Sequence, residues 1–238
     1  MKNFKLQEPP INIGDEISVK SFEMIEAEAV EYDGFDRFDE DEKALVQRLI
    51  HTTTCFEQII DNIYFSKNSM LKLKELLEKK AKLIVDTNMI RSGLSKFYLD
   101  KYENEVICYV NEPEVFEMAA KNKTTRSYAA VELAIEKFKD EPMVLACGNA
   151  PTFIYAAINS LIKLNINLDN VILLLFPVGF VNVVESKEYG KKFMNHFGVE
   201  GVILEGRYGA STMVVASLHA AYRLIKDYDT EFGKYNGK

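Results

Sequence analysis

Five short apolar runs, rich in β-branched residues, recur along the last two-thirds of the chain and are separated by segments long enough to form helices. They end at Asp86, Val110, Cys147, Phe176 and Glu205. Each run is almost continuously apolar rather than alternating, which is typical of strands buried on both faces of a parallel sheet. Strands that alternate with helices form right-handed βαβ units. The pattern therefore predicts an α/β fold, a three-layer α/β/α sandwich around a five-stranded, mainly parallel sheet.

Helices are predicted both between these strands and before them. Asp39 followed by Glu42 has the spacing of a capping box at the start of one of the N-terminal helices. No internal repeat and no linker-like composition interrupts the chain, so residues 1–238 are predicted to form a single domain. The predicted helices lie over residues 19–31, 39–50, 69–80, 152–164, 185–197 and 211–228, with two more within residues 114–139.

The charge balance and the distribution of apolar and cysteine residues exclude several classes of protein. With 29 Lys+Arg against 36 Asp+Glu, the net charge of −7 repels phosphate backbones, so no nucleic-acid partner is predicted. The longest apolar run, residues 171–184, is shorter than the roughly 20 residues of a membrane helix, and the N-terminus lacks a signal peptide's apolar stretch. The three cysteines form no CxxC pair and no HExxH motif occurs, so no metal site is expected. A cytoplasmic protein without a membrane partner is predicted.

Polar loops follow the strands at the edge where their carboxyl ends meet, which is where ligands bind in open parallel sheets. These loops cover residues 86–89, 148–152, 177–180 and 206–212. Three of the four combine glycine with the start of a helix, which predicts free backbone N–H groups that bind an anion in one cleft. The alternative is that each glycine only permits a tight turn. No loop has the GxGxxG or GxxxxGK[ST] pattern, so a nucleotide-binding oxidoreductase is disfavoured.

His51 is the candidate for acid–base chemistry. It closes a helix in the segment RLIHTTTCF, and the hydroxyl groups of the three threonines at residues 52–54 could orient its imidazole. A plain interaction of a helix-end histidine with the helix dipole is the alternative. The other two histidines are interpreted as structural, His196 as a surface residue and His219 as a packed residue of the last helix. No GxSxG segment occurs, so a serine hydrolase is poorly supported.

Arg126 opens a helix in the segment TTRSYAAVE, where its positive charge opposes the positive end of the helix dipole. Such a placement becomes favourable if an anionic ligand binds there, because the guanidinium and the helix amides then bind the same carboxylate. An exposed loop arginine without a ligand is the alternative.

Seven segments follow one another between about residue 17 and residue 225. They are SFEMIEAE, RLIHTTTCF, IVDTNMIRSGL, TTRSYAAVE, GNAPTFIY, PVGFVNVVESK and GRYGAST. Together and in this order they resemble the precorrin-8X methylmutase family of cobalamin biosynthesis. The resemblance implies an isomerase that moves a methyl group from C11 to C12 of a corrinoid ring, converting precorrin-8 to hydrogenobyrinic acid or the cobalt form to cobyrinic acid. It also implies a homodimer with active sites near the subunit interface, and no cofactor or metal supplied by the protein.

The resemblance further implies roles for individual residues. The family's essential histidine corresponds to His51, its substrate-binding arginine to Arg126 and its N-terminal serine to Ser21. The substrate is a flat, partly apolar macrocycle fringed with carboxylates, which suits a cleft edged with helix N-termini and arginines. The predicted substrate contacts are Ser21, Thr52, Asp86, Met89, Thr125, Arg126, Ser127, Asn149, Gly179 and Arg207.

Some positions depart from the pattern of the family. The family has arginine where this chain has Glu26, and a carboxylate there would repel a polycarboxylate substrate. These departures leave a second hypothesis open, a catalytically silent corrinoid-binding protein, whereas His51 and Arg126 favour the isomerase. The further departures are Asn182, Val183, Val184, Ala210 and His219.

Two sets of apolar residues carry the remaining predictions. Met89, Phe153 and Phe180 are candidates for walls that contact the macrocycle, with burial in the core as the alternative. The apolar residues 213–216 at the start of the last helix predict a homodimer, because they exceed what one sheet is expected to cover.

Overall fold

One sheet of six strands forms the centre of the computed structural model, which describes residues 9–11 and 13–225. The strands are β1 (Ile63–Phe65), β2 (Lys82–Val85), β3 (Val106–Ile107), β4 (Met143–Cys147), β5 (Val171–Leu175) and β6 (Glu200–Leu204). Their order across the sheet is β1-β6-β5-β4-β2-β3, and every neighbouring pair is parallel except β1 and β6. The predicted sandwich is confirmed with one strand more than expected, because β1 has three residues and is too short to show an apolar run.

Helices flank the sheet throughout the described part of the chain. The helices predicted from the sequence all occur. Three more, α3 (Glu57–Ile60), α5 (Asn88–Gly93) and α6 (Lys96–Tyr102), have seven residues or fewer and show no apolar periodicity of their own. The helix predicted over residues 211–228 ends at Leu224, and residues 226–228 lie outside the described residues. No described helix is both long enough and apolar enough to cross a membrane. The helices are α1 (Gly14–Ala29), α2 (Glu40–Thr53), α3 (Glu57–Ile60), α4 (Ser69–Glu78), α5 (Asn88–Gly93), α6 (Lys96–Tyr102), α7 (Pro113–Asn122), α8 (Arg126–Lys137), α9 (Pro151–Lys163), α10 (Val183–Phe197) and α11 (Ser211–Leu224).

The start of α2 is fixed by the predicted capping box. The Asp39 carboxylate accepts the N–H of Glu42 at 2.8 Å, and the Glu42 carboxylate accepts the N–H of Asp39 at 3.1 Å. A cap of this kind stabilises a helix by about 1 kcal/mol. It begins a helix that buries Leu45 and Leu49 in the core and carries His51 in its last turn.

Alternate residues along the strands face two hydrophobic cores. In β2, Leu83 and Val85 face the first core, and Ile84 faces the second. Helices α2, α4, α5 and α11 cover the first core, while α8, α9 and α10 cover the second. Both faces of the strands are therefore buried, as their continuous apolar character predicts. Burial of this apolar surface, worth roughly 25 cal/mol per Å², is the main force that holds the three layers together.

The crevice at the carboxyl edge of the sheet opens between β2 and β4. The helix that follows β2, α5, packs on one face of the sheet, whereas α9, which follows β4, packs on the other. Neighbouring strands whose helices leave in opposite directions form a switch point, which is the usual ligand site of such sheets. The loops that follow β2 and β4 therefore lie at the mouth of the candidate site.

The apolar residues at the start of α11 do not form an exposed surface. Met213, Val214 and Ala216 are at most 5% exposed within one chain, and Val215 alone among residues 213–216 is partly exposed. The interpretation of this segment as a dimer surface is wrong, because α11 packs against α2, α4, α5 and the sheet. Phe153 is likewise a core residue, 1% exposed, and not a wall of the cleft.

Candidate active site

Asp86, at the end of β2, holds the loop that follows β4. Its carboxylate, 3% exposed, accepts the N–H groups of Gly148 at 3.0 Å, Asn149 at 2.7 Å and Ala150 at 2.7 Å. Burial raises the pKa of Asp86, and these amide hydrogen bonds oppose the rise. The predicted anion-binding loop thus binds an anion, but this anion is the chain's own aspartate. Asp86, a predicted substrate contact, is buried beneath this loop and supports it, so its carboxylate is not exposed to a ligand in this structure.

Glycine in two of the edge loops permits close packing of the backbone. A Cβ atom on Gly148 would lie 2.6 Å from the Cα of Ser211, and one on Gly209 would lie 2.2 Å from the carbonyl oxygen of Phe176. Both distances are far below a van der Waals contact, so any side chain would force the loops apart. These two glycines serve the geometry of the loops, which is closer to the alternative stated for the sequence than to anion binding.

His51 lies in the last turn of α2 and is exposed. Its ring stacks on that of Phe22 from α1, with the two centroids 5.0 Å apart. Partial burial lowers the pKa of His51, and the positive charges of Arg48 and Arg223 lower it further. The expected orientation by threonines is wrong, because the hydroxyl groups of residues 52–54 all donate to backbone carbonyls. Stacking on an aromatic ring holds this imidazole instead.

A groove of about 280 Å³ lies between the end of α2 and the helices α5 and α11. His51 does not line it, but the two α2 residues that do, Arg48 and Thr52, lie three residues before His51 and directly after it. Thr52 and Met89, both predicted substrate contacts, meet there. None of the described residues that line it is acidic, although the chain carries a net charge of −7. We call this site the cationic groove; its lining includes Arg48, Thr52, Met89, Ser211, Thr212 and His219.

Lys187 of α10 is a buried cation beneath the loop that follows β6. It is 2% exposed, and its Nζ donates to the carbonyls of Gly206 at 2.9 Å and Tyr208 at 2.8 Å. Burial lowers the pKa of Lys187 to about 8. The Tyr208 hydroxyl donates to Cys55 Sγ at 3.4 Å, which ties this loop to the chain just after α2. The sequence holds a signal for Lys187, since it follows the buried Val183 by four residues and so shares its helix face.

Arg126 begins α8 beside the start of α9. Thr125 caps α8 by accepting the N–H of Tyr128 at 3.2 Å, and its hydroxyl lies 2.7 Å from that of Thr152 in α9. The exposed guanidinium of Arg126 lies over the ring of Phe116, 4.9 Å from its centroid. Among the described residues no carboxylate forms an ion pair with it. This guanidinium is available to a ligand carboxylate.

Arg207 and the loop after β5 form another group at the carboxyl edge. The Arg207 guanidinium lies 5.5 Å from the centroid of the Phe180 ring, which is 83% exposed. Gly179 donates its N–H to the carbonyl of Arg207 at 3.3 Å, so the amide proposed for a ligand is already engaged. Because their side chains are exposed, Phe180 and Met89 (66% exposed) remain candidates for apolar walls of the cleft.

The other predicted contacts lie apart from the cationic groove. Ser21 donates its hydroxyl to a backbone carbonyl one turn earlier in α1, and it precedes Phe22, on which His51 stacks. Asn149 has an exposed side chain, and Ser127 is half-buried in the first turn of α8. The predicted residues thus form separate groups around the carboxyl edge: the end of α2, the start of α8 and the loops after β4, β5 and β6.

Two of the departures from the resemblance have a structural reason. Asn182 adopts a φ of 61° before α10, where the resemblance places glycine, and asparagine tolerates this left-handed conformation better than most residues. Val183 is 1% exposed and therefore packs in the interior instead of lining the cleft. Glu26 lies in a different groove, between α1 and α2, together with the carboxylates of Glu23, Asp36, Glu40 and Asp41.

His219 of α11 borders the cationic groove as a hydrogen-bond acceptor. Its Nε2 accepts the N–H of Ser95 at 3.0 Å, and its ring centroid lies 5.6 Å from that of Tyr98. Burial, with the positive charges of Arg48 and Arg223, lowers the pKa of His219 to about 4. The ring is therefore neutral at pH 7 and packed, as the sequence predicts.

Replacing His219 with glutamine should make the fold less sensitive to acid. The unfolded chain protonates this histidine near pH 6.5, whereas the folded chain resists until about pH 4, so falling pH favours unfolding across this window. The loss is on the order of 3 kcal/mol by pH 4, and glutamine keeps an acceptor for Ser95 without titrating. In urea unfolding from pH 7 to pH 4, the free energy of unfolding of the variant should rise relative to that of the parent as the pH falls. Parallel stability curves would contradict this expectation.

Comparison with known proteins covers nearly the whole described chain. The sequence profile of the precorrin-8X methylmutase family matches residues 16–224. A cobalt-precorrin-8 methylmutase from Salmonella typhimurium is 33% identical over 178 residues, which cover 75% of this chain and 79% of that protein. A precorrin-8X methylmutase from Sinorhizobium is 32% identical over 217 residues, covering 90% of this chain and 96% of that protein. The crystal structure of a precorrin-8X methylmutase from Thermus thermophilus superposes with a TM-score of 0.74 at 33% identity, covering 89% of this chain and 98% of that one.

Proposed function

The chain belongs to the precorrin-8X methylmutase family, and we propose on that premise that methyl migration takes place at the carboxyl edge of its sheet, with His51 as the acid. The protein is an isomerase of cobalamin biosynthesis. The observation that carries our assignment is the position of His51. It is an accessible imidazole between Arg48 and Thr52 in the last turns of α2, and both of these residues line a groove with no acidic side chain among its described lining residues.

The reaction breaks one carbon–carbon bond and forms another within the same molecule. The methyl group leaves C11 and joins C12, and the corrinoid neither gains nor loses atoms. The shift is assisted when electron density is drawn from the conjugated ring toward a ring nitrogen. Protonated His51 donates a proton, or a strong hydrogen bond, to that nitrogen and recovers it once the methyl group has moved. Histidine suits this role because its charge changes near neutral pH.

Arg126 and Arg207 bind carboxylates at the rim of the substrate. Both guanidiniums are exposed and have no ion-pair partner among the described residues. Each lies over an aromatic ring, that of Phe116 or Phe180, which attracts the guanidinium. The exposed Phe180 ring also offers an apolar surface to the macrocycle.

Asp86 and Lys187 are positioning residues in this proposal. Each is buried and binds backbone groups of an edge loop, the aspartate through amides of residues 148–150 and the lysine through carbonyls of residues 206 and 208. A side chain that fixes a loop from below controls where the exposed residues of that loop meet a ligand. Neither group has to touch the substrate to matter for turnover.

The active unit is proposed to be a cytoplasmic homodimer, as the family resemblance implies. Support comes from the loop after β5, where Val178, Phe180 and Val181 expose 43%, 83% and 74% of their surface. Adjacent exposed apolar side chains are typical of interaction sites. Light scattering should give twice the 27.2 kDa of one chain, and the mass of a single chain at micromolar concentration would contradict the dimer.

Exchanging Arg126 for lysine should weaken binding of the acid product by about 1–3 kcal/mol. Lysine keeps the charge but loses the planar fork that pairs with both oxygens of a carboxylate. Calorimetric titration with hydrogenobyrinic acid measures the loss, and circular dichroism establishes that the variant is folded. A folded variant with the affinity of the parent would remove Arg126 from the site.

Turnover is tested by incubating the protein anaerobically with precorrin-8, and separately with its cobalt form, while the visible spectrum is recorded. Formation of a corrin spectrum with either compound is expected, and the compound that reacts identifies whether the substrate already carries cobalt. Binding of both compounds without spectral conversion would favour the catalytically silent corrinoid-binding protein.

A further inference from the structure

The cationic groove contains the side chain of Arg48, and none of its described lining residues is acidic. Burial and the charge of Arg223 on α11 lower the pKa of Arg48 to about 10. The cation of every ion pair between described residues is a lysine, so neither Arg48 nor Arg223 is in an ion pair with a described carboxylate. Arg48 lies over the Phe22 ring, 4.7 Å from its centroid, and Arg223 donates its Nε–H to the Tyr98 hydroxyl at 3.3 Å. Two partly buried like charges repel each other, and a bound anion offsets this repulsion.

The other residues that line the groove also favour an anionic ligand. The 14-residue helix α11 begins in it, and Ala210 supplies no side-chain cap, so the positive end of the helix dipole is uncapped by a side chain. Thr212, in the first turn of α11, is exposed and carries a hydroxyl group. Met89 and Val215 add apolar surface. The groove therefore combines fixed positive charge, a donor and an apolar wall, which matches a carboxylate on a short hydrocarbon arm.

We propose that Arg48 binds a carboxylate arm of the corrinoid next to His51, as an anchor separate from Arg126; this rests on the proposed function. With about 280 Å³, the groove is smaller than the roughly 300–1,000 Å³ of pockets that enclose a whole small ligand, so it takes an arm and the adjoining ring edge. Arg223, whose charge lowers the pKa of Arg48, adds to the positive field. A carboxylate held there fixes the macrocycle on the side where His51 donates its proton.

A purely structural role for Arg48 predicts a different behaviour. The guanidinium of Arg48 lies over the Phe22 ring, and the flexible thioether of methionine can pack on the same ring without a charge. Without a ligand, an unpaired and partly buried cation beside Arg223 is unfavourable. Arg48→Met should therefore leave the stability of the free protein unchanged or raise it, while weakening ligand binding. Loss of function together with retained or increased stability distinguishes a binding group from a packing group.

The test is calorimetric titration of hydrogenobyrinic acid into the parent and three variants. Arg48→Met should bind the acid about 10- to 100-fold more weakly, and Arg48→Lys should recover part of the loss. Lys192→Gln, an exposed site on α10 at the other face of the sheet, is the charge-matched control and should bind like the parent. Methyl esterification of the ligand should weaken binding to Arg48→Met by a smaller factor than binding to the parent, because one anchor is already missing.

Parent-like affinity of a folded Arg48→Met variant would overturn the proposal, as would an equal loss in Lys192→Gln. If Arg48→Met does not fold, Arg48→Gln provides the same comparison. A parent protein that neither binds nor converts the corrinoids would contradict the proposed function instead. If the parent protein converts the corrinoids and the Arg48 variants bind the acid as tightly as the parent, only the proposal that Arg48 anchors a carboxylate is contradicted.

Discussion

Replacing His51 with alanine is expected to lower the rate of methyl migration by roughly 10²- to 10⁴-fold, the usual contribution of a positioned acid. The product should still bind within a few-fold of the parent, because the carboxylate anchors are retained and His51 acts on the transition state. The fold should survive, since His51 is exposed and its main contact is the stack on Phe22. Single-turnover spectroscopy measures the rate, and titration with the product measures the affinity.

His196→Ala is the matched control for this variant. His196 is also an exposed helical histidine packed against a phenylalanine ring, but it lies on α10. It should turn over at the rate of the parent. A His51→Ala protein that converts substrate at the parent rate would show that His51 is only a helix-end residue.

The acid role also fixes the direction of the pH profile. The protonated form of His51 is the active one, so kcat/KM should fall as the pH rises through its pKa. Partial burial and the charges of Arg48 and Arg223 lower this pKa from its ordinary value, because they disfavour the imidazolium. The falling limb should be absent in His51→Ala if any activity remains. A rate that increases with pH across this range would be evidence for a base instead of an acid.

Asp86→Ala should cost about 3–5 kcal/mol of the free energy of unfolding, because it removes the buried anion that three backbone amides bind. The free energy of unfolding of Asp86→Asn should lie between those of Asp86→Ala and the parent. The amide oxygen of asparagine can still accept a hydrogen bond, whereas its NH₂ group faces the other amide donors. Urea unfolding at pH 7 measures both losses. Turnover should also decline, because the loop over residues 148–150 loses its support at the mouth of the cleft.

Asp100→Ala controls for the removal of one carboxylate. Asp100 is exposed on α6, and its replacement should change the free energy of unfolding by no more than about 0.5 kcal/mol. A loss at Asp86 no larger than the loss at Asp100 would mean that the amides of residues 148–150 find other acceptors. Asp86 would then have no supporting role.

The strands and the helices between them were accessible from the sequence because burial on both faces imposes one simple pattern. Runs such as those of β4 and β5 are apolar at every position, and each residue of both strands is buried. The short β1 depends on pairing with β6, through Ile63 with Leu204, and has little pattern of its own. The predicted run that ends at Val110 does contain a strand, but only its residues Val106 and Ile107 form β3 beside β2. Helix α5 of six residues is likewise defined by its place after β2.

Some residues of the candidate site could be identified from the sequence, and others only from the fold. His51 and Arg126 are visible in sequence because both belong to segments that resemble the family, and Arg126 also because a cation at the start of a helix opposes the helix dipole. The role of Asp86 is not, since its three amide partners lie 62, 63 and 64 residues further along the chain. An amide-rich loop looks the same in sequence whether its anion is a ligand or a distant aspartate. The proximity of Arg48 to Arg223 is equally a product of how α2 packs on α11.

A crystal structure of the protein with bound hydrogenobyrinic acid tests the site most directly. The macrocycle is expected over the carboxyl edge between β2 and β4, with a ring nitrogen about 2.6–3.2 Å from an imidazole nitrogen of His51. Its carboxylates are expected on Arg126 and in the cationic groove on Arg48. A macrocycle bound away from this edge, or one in which no ring nitrogen faces His51, would contradict the proposed site and the acid role of His51 together.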